Sequence, residues 1–164
     1  MSRLDSFIRR LEAQRACLEM AVLRVRDLPG PVLELGLGNG RTYDHLRELL
    51  PEREIFVFER EVRAHPACIP DAAHLLLGDI HETLPGARLR LPRPAALAHS
   101  DMGTGDAAAN AALAAWLAET LPPLLAHGAW IVADQRLADS RLAPQAPPPG
   151  IAPDRYFLYR NEPT

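Results

Sequence analysis

Five short apolar runs constrain this chain more than any other feature: Val32–Leu35, Ile55–Phe58, Leu75–Leu77, Ala95–Ala98 and Ala129–Ala133. Apart from Glu34 they are continuous rather than alternating, and each runs into a glycine or an acidic turn. Strands buried on both faces of a parallel sheet have this form, because helices cover both sides of such a sheet. The stretches between them carry helical patterns at Thr42–Leu50 and at about Ala107–Leu125, where Leu113, Trp116, Leu117 and Leu121 share one side. Strands alternating with helices predict α/β architecture, with right-handed crossovers bringing every parallel strand's carboxyl end to one edge.

An amphipathic helix is predicted ahead of the first strand, over residues 3–27. Leu4, Phe7, Ile8, Leu11, Leu18, Val22 and Val25 fall on one face at spacings of three, four or seven. Ser2 and Asp5 have the spacing of a capping box, and Pro29-Gly30-Pro31 ends the helix. Gln14 and Arg15 interrupt the apolar face, either to lie over a ligand or as a solvated break. Beyond the fifth run, Pro144–Pro153 is dense in proline and reads as an extended loop. Tyr156–Tyr159 reads as a final strand, antiparallel to the others. The expected organisation is one domain over 1–164: a helical extension at 1–29, a core at 30–135, and a proline-rich loop with a last strand at 136–164. No internal repeat is visible.

Composition narrows the chemistry. With 164 residues, 48% hydrophobic and 24% charged, the chain has the make-up of a globular domain. All eighteen cationic side chains are arginine, so a P-loop lysine, a Schiff-base lysine and a lysine general base are excluded. The net charge of -3 gives no global attraction to nucleic acid or anionic membrane. Arg88, Arg90 and Arg93 form only a modest basic run. Cys17 and Cys68 lack metal-ligand or disulfide-framework spacing. Charged Arg3, Asp5, Arg9 and Arg10 do not suit a signal peptide, and no run is long enough to span a bilayer, so a cytoplasmic protein is expected.

The string Glu34-Leu35-Gly36-Leu37-Gly38-Asn39-Gly40 stands between a strand and a helix. Such a turn lets a ligand approach the backbone, where the helix N-terminus offers free N–H groups. A dinucleotide turn of the form G-x-G-x-x-G needs glycine at position 41, which is Arg41. The G-x-G-x-G form with an acid two places ahead resembles motif I of class I S-adenosylmethionine-dependent methyltransferases. Three further elements follow in that family's order: Glu59 at the end of the second strand, Gly78-Asp79-Ile80 after the third, and Ser100-Asp101 after the fourth. The continuation Arg41-Thr42-Tyr43-Asp44-His45-Leu46 is similar to a small group of bacterial methyltransferases.

The resemblance implies a three-layer Rossmann-like methyltransferase fold with a mostly parallel sheet, an N-terminal helix and a shortened C-terminal strand region. It implies S-adenosyl-L-methionine as cofactor. Glu34, Gly36, Leu37, Gly38, Asn39, Gly40 and Thr42 would back its methionine end. Glu59 beside Arg60 would accept the ribose hydroxyls. Gly78, Asp79 and Ile80 would border the adenine, and Ser100 and Asp101 would close the fourth-strand side. Plainer roles stay open at each position: a tight turn for the glycines, a solvated residue or helix-dipole partner at Glu34, a surface pair with Arg60 or Arg63 at Glu59, and a helix cap at Asp79. Two departures from the family stand out. Pro66, Pro70, Pro85, Pro92 and Pro94 abbreviate the middle helices, and one strand rather than a helix and hairpin follows the fifth run. A partner subunit is then a way to complete the site, which makes a homo-oligomer an open possibility.

No nucleophile announces itself, and direct transfer to an acceptor oxygen, nitrogen or carbon needs none. Asp101, His99 and Asp134 are the catalytic candidates. His81, His45 and His65 qualify by residue type alone. Asp101 with Asp134-Gln135 is similar to the metal site of catechol-type O-methyltransferases. Glutamine stands there in place of asparagine, the accompanying lysine is missing with Thr104 near its position, and Asp101 or Asp106 can equally cap a helix, so a divalent metal is not expected. The expected function is methyl transfer to an unidentified small-molecule acceptor. The alternatives are a non-catalytic S-adenosylmethionine-binding protein or subunit, and a metal-assisted O-methyltransferase. Aminopropyl transfer is a poorer match, because Asp101 and Asp106 do not form that group's acidic pair.

Overall fold

Ser2 starts the first helix as the spacing requires. In the computed structural model, which describes residues 2–162, its hydroxyl accepts from the Asp5 N–H at 3.0 Å while the Asp5 carboxylate accepts from the Ser2 N–H at 3.0 Å. Helix α1 spans Arg3–Arg24 and stops short of residue 27. Just past its end, the Arg53 guanidinium donates to the carbonyls of Val25, Arg26, Leu28 and Gly30 at 3.1, 3.0, 2.9 and 3.3 Å. One side chain thus satisfies backbone acceptors that a helix end and a proline turn leave open.

The five apolar runs become β1 (Val32–Leu35), β2 (Ile55–Glu59), β3 (Leu75–Leu77), β4 (Ala95–Ser100) and β5 (Leu125–Ala133). These are mutually parallel in the order β3-β2-β1-β4-β5. Strand β7 (Phe157–Asn161) then pairs antiparallel with β5, as expected, and β6 (Leu142–Gln145) pairs antiparallel with β7 at the edge. The expectation of a single strand after β5 is thereby corrected. Pro144 lies inside β6, where the missing N–H is tolerated because an edge strand has one side without a ladder.

Helices α1 and α2 (Arg41–Leu49) cover one face of the sheet, and α3 (Ile80–Gly86) and α4 (Ala107–Thr120) cover the other. Leu18, Leu46, Val57, Leu97 and Val132 fill the first interface, and Leu33, Phe58, Leu84, Leu117 and Ile131 the second. The helix α4 ends before the expected Leu125 because Pro122-Pro123 convert its last turn to a 3-10 turn at Pro122–Leu124. Between β2 and β3 only a 3-10 turn at Pro66–Cys68 remains, as the prolines foretell.

The apolar face of α1 is buried only from Ala13 onward. Leu4, Phe7, Ile8 and Leu11 are 66, 46, 44 and 36% exposed, against the expectation that they pack with Leu18 and Val22. The reason is length. A helix of 22 residues runs about 33 Å, whereas the six residues of β4 run about 20 Å. Since α1 leads directly into β1, its C-terminal end lies at the amino edge of the sheet, and its first turns overhang the carboxyl edge.

Candidate functional site

The turn after β1 is shaped by glycines whose backbone other residues resist. Gly40 has φ +84° at the N-cap of α2 and brings no side chain of its own to cap that helix end. Gly38 has φ +53°, and nothing lies within 4 Å of where its side chain would stand. The result is an open approach to the α2 N-terminus and its free N–H groups. Leu37 turns into the core beneath α2, while Asn39 is exposed and its Oδ1 accepts from the Arg41 N–H at 3.4 Å.

Glu59 ends β2 directly beside this turn. Its Oε2 accepts from the N–H groups of Leu37 and Gly38 at 2.8 and 3.0 Å, and its Oε1 from those of Arg60 and Glu61 at 2.7 and 3.1 Å. Partial burial raises its pKa, but these four bonds to the charged form outweigh it and hold the carboxyl below its usual value. The surface pair with Arg63 is not formed, since that guanidinium pairs with Glu61 at 2.6 Å. Gly38, Asn39, Glu59, Arg60, Glu61 and Arg63 line a cleft of about 320 Å³. A larger cleft of about 710 Å³, lined by Tyr43, Arg47, Glu54 and His74, lies at the amino edge of the sheet, away from the glycine turn. In open α/β sheets ligands bind outside the carboxyl ends of the strands.

After β3, Gly78 leads to Asp79, which caps α3. Its Oδ1 accepts from the His81 N–H at 2.8 Å and contacts the His81 Nδ1 at 2.9 Å. The capping alternative for Asp79 is therefore realised, and Ile80 is buried in the core between the sheet, α3 and α4.

The α1 side of the carboxyl edge holds a buried polar chain. Glu34 is fully buried, which removes the solvated alternative. It accepts from the Thr42 hydroxyl and bonds the His99 Nδ1 at 2.8 Å. Burial works to lower the His99 pKa, but the charge and hydrogen bond of Glu34 prevail and raise it. The Gln14 amide donates to Asp101 Oδ2 at 2.8 Å and lies 3.4 Å from His99 Nε2. Because a carboxylate only accepts, Asp101 fixes the NH2 group of Gln14 toward itself and the ring. Arg10 donates to Asp101 Oδ1. Gln14 is thus a buried contact rather than a solvated break, whereas exposed Arg15 turns outward to within 4.0 Å of Glu19.

Ser100 is buried, and its carbonyl accepts from the Asp134 N–H at 3.0 Å, which sets Asp134 beside Asp101. Asp134 Oδ2 accepts from the Gly103 N–H at 2.7 Å and from the Gln135 amide at 3.3 Å. Burial first, with the charge of Asp101, raises the Asp134 pKa. Helix α4 is capped by Asp106 and not by Asp101. His45, His65 and His81 contact Glu19, the Ala67 N–H and Asp79, outside the network around His99. Among the described residues no group of three or more His, Cys, Asp or Glu is arranged to hold a metal, and Arg10 already supplies the cation at Asp101.

A family model described as S-adenosyl-L-methionine methyltransferase matches residues 1–161. The chain belongs to that family. A solved structure described as an S-adenosyl-L-methionine methyl transferase from Silicibacter pomeroyi DSS-3 is 46% identical with a TM-score of 0.92, over 98% of this chain and 99% of that one. Cofactor-bound Rv0187 from MTB superposes with a TM-score of 0.46 at 20% identity, over 79% of this chain and 65% of that one. No curated protein matches the chain. The protein is an S-adenosylmethionine-dependent methyltransferase on a Rossmann-like fold. Among its described residues no helix is long and apolar enough to cross a membrane.

Two contributors escape sequence reasoning. Arg10 reads as one of several surface charges, and Tyr156 reads as an ordinary strand residue. Only the fold brings both to the edge shared by Asp101 and Asp134.

Proposed function

We propose that this methyltransferase transfers a methyl group directly to a small-molecule acceptor, with the cofactor seated on the Gly36–Gly40 turn and the acceptor at the carboxyl ends of β4 and β5. The observation that carries this reading is the open face of Gly38 above the cleft bounded by Glu59, next to the N-terminus of α2. These residues fit S-adenosylmethionine: an unfilled backbone cradle suits its methionine end, and a carboxylate within the same cleft suits a ribose. Glu59 reaches the ribose hydroxyls by exchanging some of its four backbone bonds, since a carboxylate offers about four acceptor sites.

When bound, the cofactor supplies a sulfonium methyl group as the electrophile. The chain's own work is then alignment and exclusion of water. Glu34, locked by Thr42 and His99, stiffens the strand that feeds the turn, while Asp101 and Asp134 stand where an acceptor's proton is released. His99, wholly buried behind Gln14, positions Glu34 rather than touching the acceptor.

Calorimetric titration with S-adenosylmethionine and S-adenosylhomocysteine tests the seat. We expect Glu59→Ala to weaken both by at least several-fold, because a hydrogen bond to a charged group contributes roughly 1.5–3 kcal/mol. Unchanged affinity in that variant would remove Glu59 from the site.

A further inference from the structure

Tyr156 immediately precedes β7, and its ring is buried on the α1 side of the sheet with 1% of the residue exposed. It stacks toward His99, the ring centroids 6.5 Å apart and the planes 16° from parallel. Its hydroxyl hydrogen meets no acceptor among the described residues, since the polar group directed at it is the Arg10 guanidinium, which only donates. Folded proteins rarely leave a buried donor without an acceptor.

The surroundings sharpen the point. Burial foremost, and then the charge of Asp101, pushes the Tyr156 pKa far above its usual value, so the phenol keeps its proton. Arg10 and Asp134 are the other charged groups acting on it. Arginine only donates, so Arg10 offers the Tyr156 O–H no acceptor. Asp101 has one oxygen engaged by Arg10 and the other by Gln14. Asp134 has one oxygen held by Gly103 and Gln135, while its Oδ1 accepts nothing among the described residues.

The sheet register puts these groups together. Ala133 of β5 lies opposite Phe157 of β7, so the next pair beyond the ladder is Asp134 beside Tyr156. Val132 and Leu158 face α1, and side chains alternate along a strand, so Asp134 and Tyr156 turn to that face as well. Above them passes the overhang of α1, where Phe7 and Leu11 lie seven and three residues ahead of Gln14 on the sheet-facing stripe and remain solvent-exposed. Arg10, with 44% of its side chain exposed, rests on Asp101 as the outermost group of the cluster.

We propose that Tyr156 and Asp134 form the acceptor subsite, and that it recognises a neutral hydroxyl group on an apolar body. The hydroxyl offers a lone pair to the Tyr156 O–H and its hydrogen to Oδ1 of Asp134. An ammonium group has no lone pair for Tyr156, and a carboxylate has no hydrogen for Asp134. Phe7 and Leu11 receive the apolar body once the Arg10 side chain moves aside. This rests on the cofactor seat proposed above.

The test is calorimetric titration of S-adenosylhomocysteine-saturated protein with phenol and with toluene, in the wild type and in Tyr156→Phe. Phenol should bind the wild type more tightly than toluene does. Tyr156→Phe should weaken phenol roughly three- to tenfold, the range of one neutral hydrogen bond, and leave toluene and S-adenosylhomocysteine unchanged. That variant should also melt no lower than the wild type, because the O–H it deletes has no acceptor and the half-exposed Arg10 keeps Asp101. Phenol held no better than toluene, equal phenol binding by Tyr156→Phe, or a clear drop in its melting temperature would each overturn the proposal while the cofactor still binds. Failure of the wild type to bind S-adenosylhomocysteine would instead overturn the cofactor seat, and this subsite with it.

Discussion

Glu59 uses its carboxylate to hold two backbone segments at once, the N–H groups of Leu37 and Gly38 on one oxygen and those of Arg60 and Glu61 on the other. The glycine turn is therefore fixed before any ligand arrives, despite the conformational freedom that glycine brings to an unfolded chain. Its folded pKa lies below the ordinary 4.5. A carboxyl group lowered in this way contributes stability that is complete above the unfolded value and lost as pH falls through the folded one. Denaturant melts of Glu59→Gln should thus lag the wild type by a constant margin near neutral pH, and the margin should close in acid below about pH 4.5. A margin unchanged down to pH 3 would mean that the four bonds do not depend on the charge. Glu34 shows the other way of holding an acid: buried outright, with Thr42 and His99 as its partners.

At the level of elements, α1 divides into two halves with different work. Leu18 is 1% exposed against the sheet, whereas Phe7 is 46% exposed beyond it. Leu18→Ala should destabilise by about 2–5 kcal/mol through the cavity it leaves. Phe7→Ser should stay within about 0.5 kcal/mol, as surface changes do. Equal losses in chemical denaturation would mean that the overhang packs against something in solution. The sequence foretells the helix and its capping box because both are local, but not where burial ends, which depends on how far the sheet extends beneath it. Likewise the five parallel strands are legible as apolar runs, while β6 is not. Leu142–Gln145 has no strand pattern of its own and becomes a strand only because β7 supplies a ladder. Within the site, the glycine turn and the acids at strand ends are legible from spacing. The Glu59 bonds to backbone and the meeting of Arg10, Gln14 and Tyr156 are not, since they join residues from as many as four elements.

Across the whole molecule, the connection from α1 to β1 is tied to the connection from α2 to β2 by the single guanidinium of Arg53. Arg53→Ala would leave the carbonyls of Arg26, Leu28 and Gly30 without their donor, while Val25 keeps the Leu28 N–H, and we expect a loss of roughly 3 kcal/mol in denaturant unfolding, two charge-assisted hydrogen bonds' worth at the lower end of their range. Amide hydrogen exchange should also quicken in the last turn of α1 before it does in the first strand. An effect under 0.5 kcal/mol would show that water replaces the guanidinium freely. The clasp also decides how the long helix can move. Anchored at its root by Arg53 and held again where Arg10 and Gln14 meet Asp101, α1 is an overhanging beam on two supports, unsupported only over the first two turns that carry Leu4, Phe7 and Ile8.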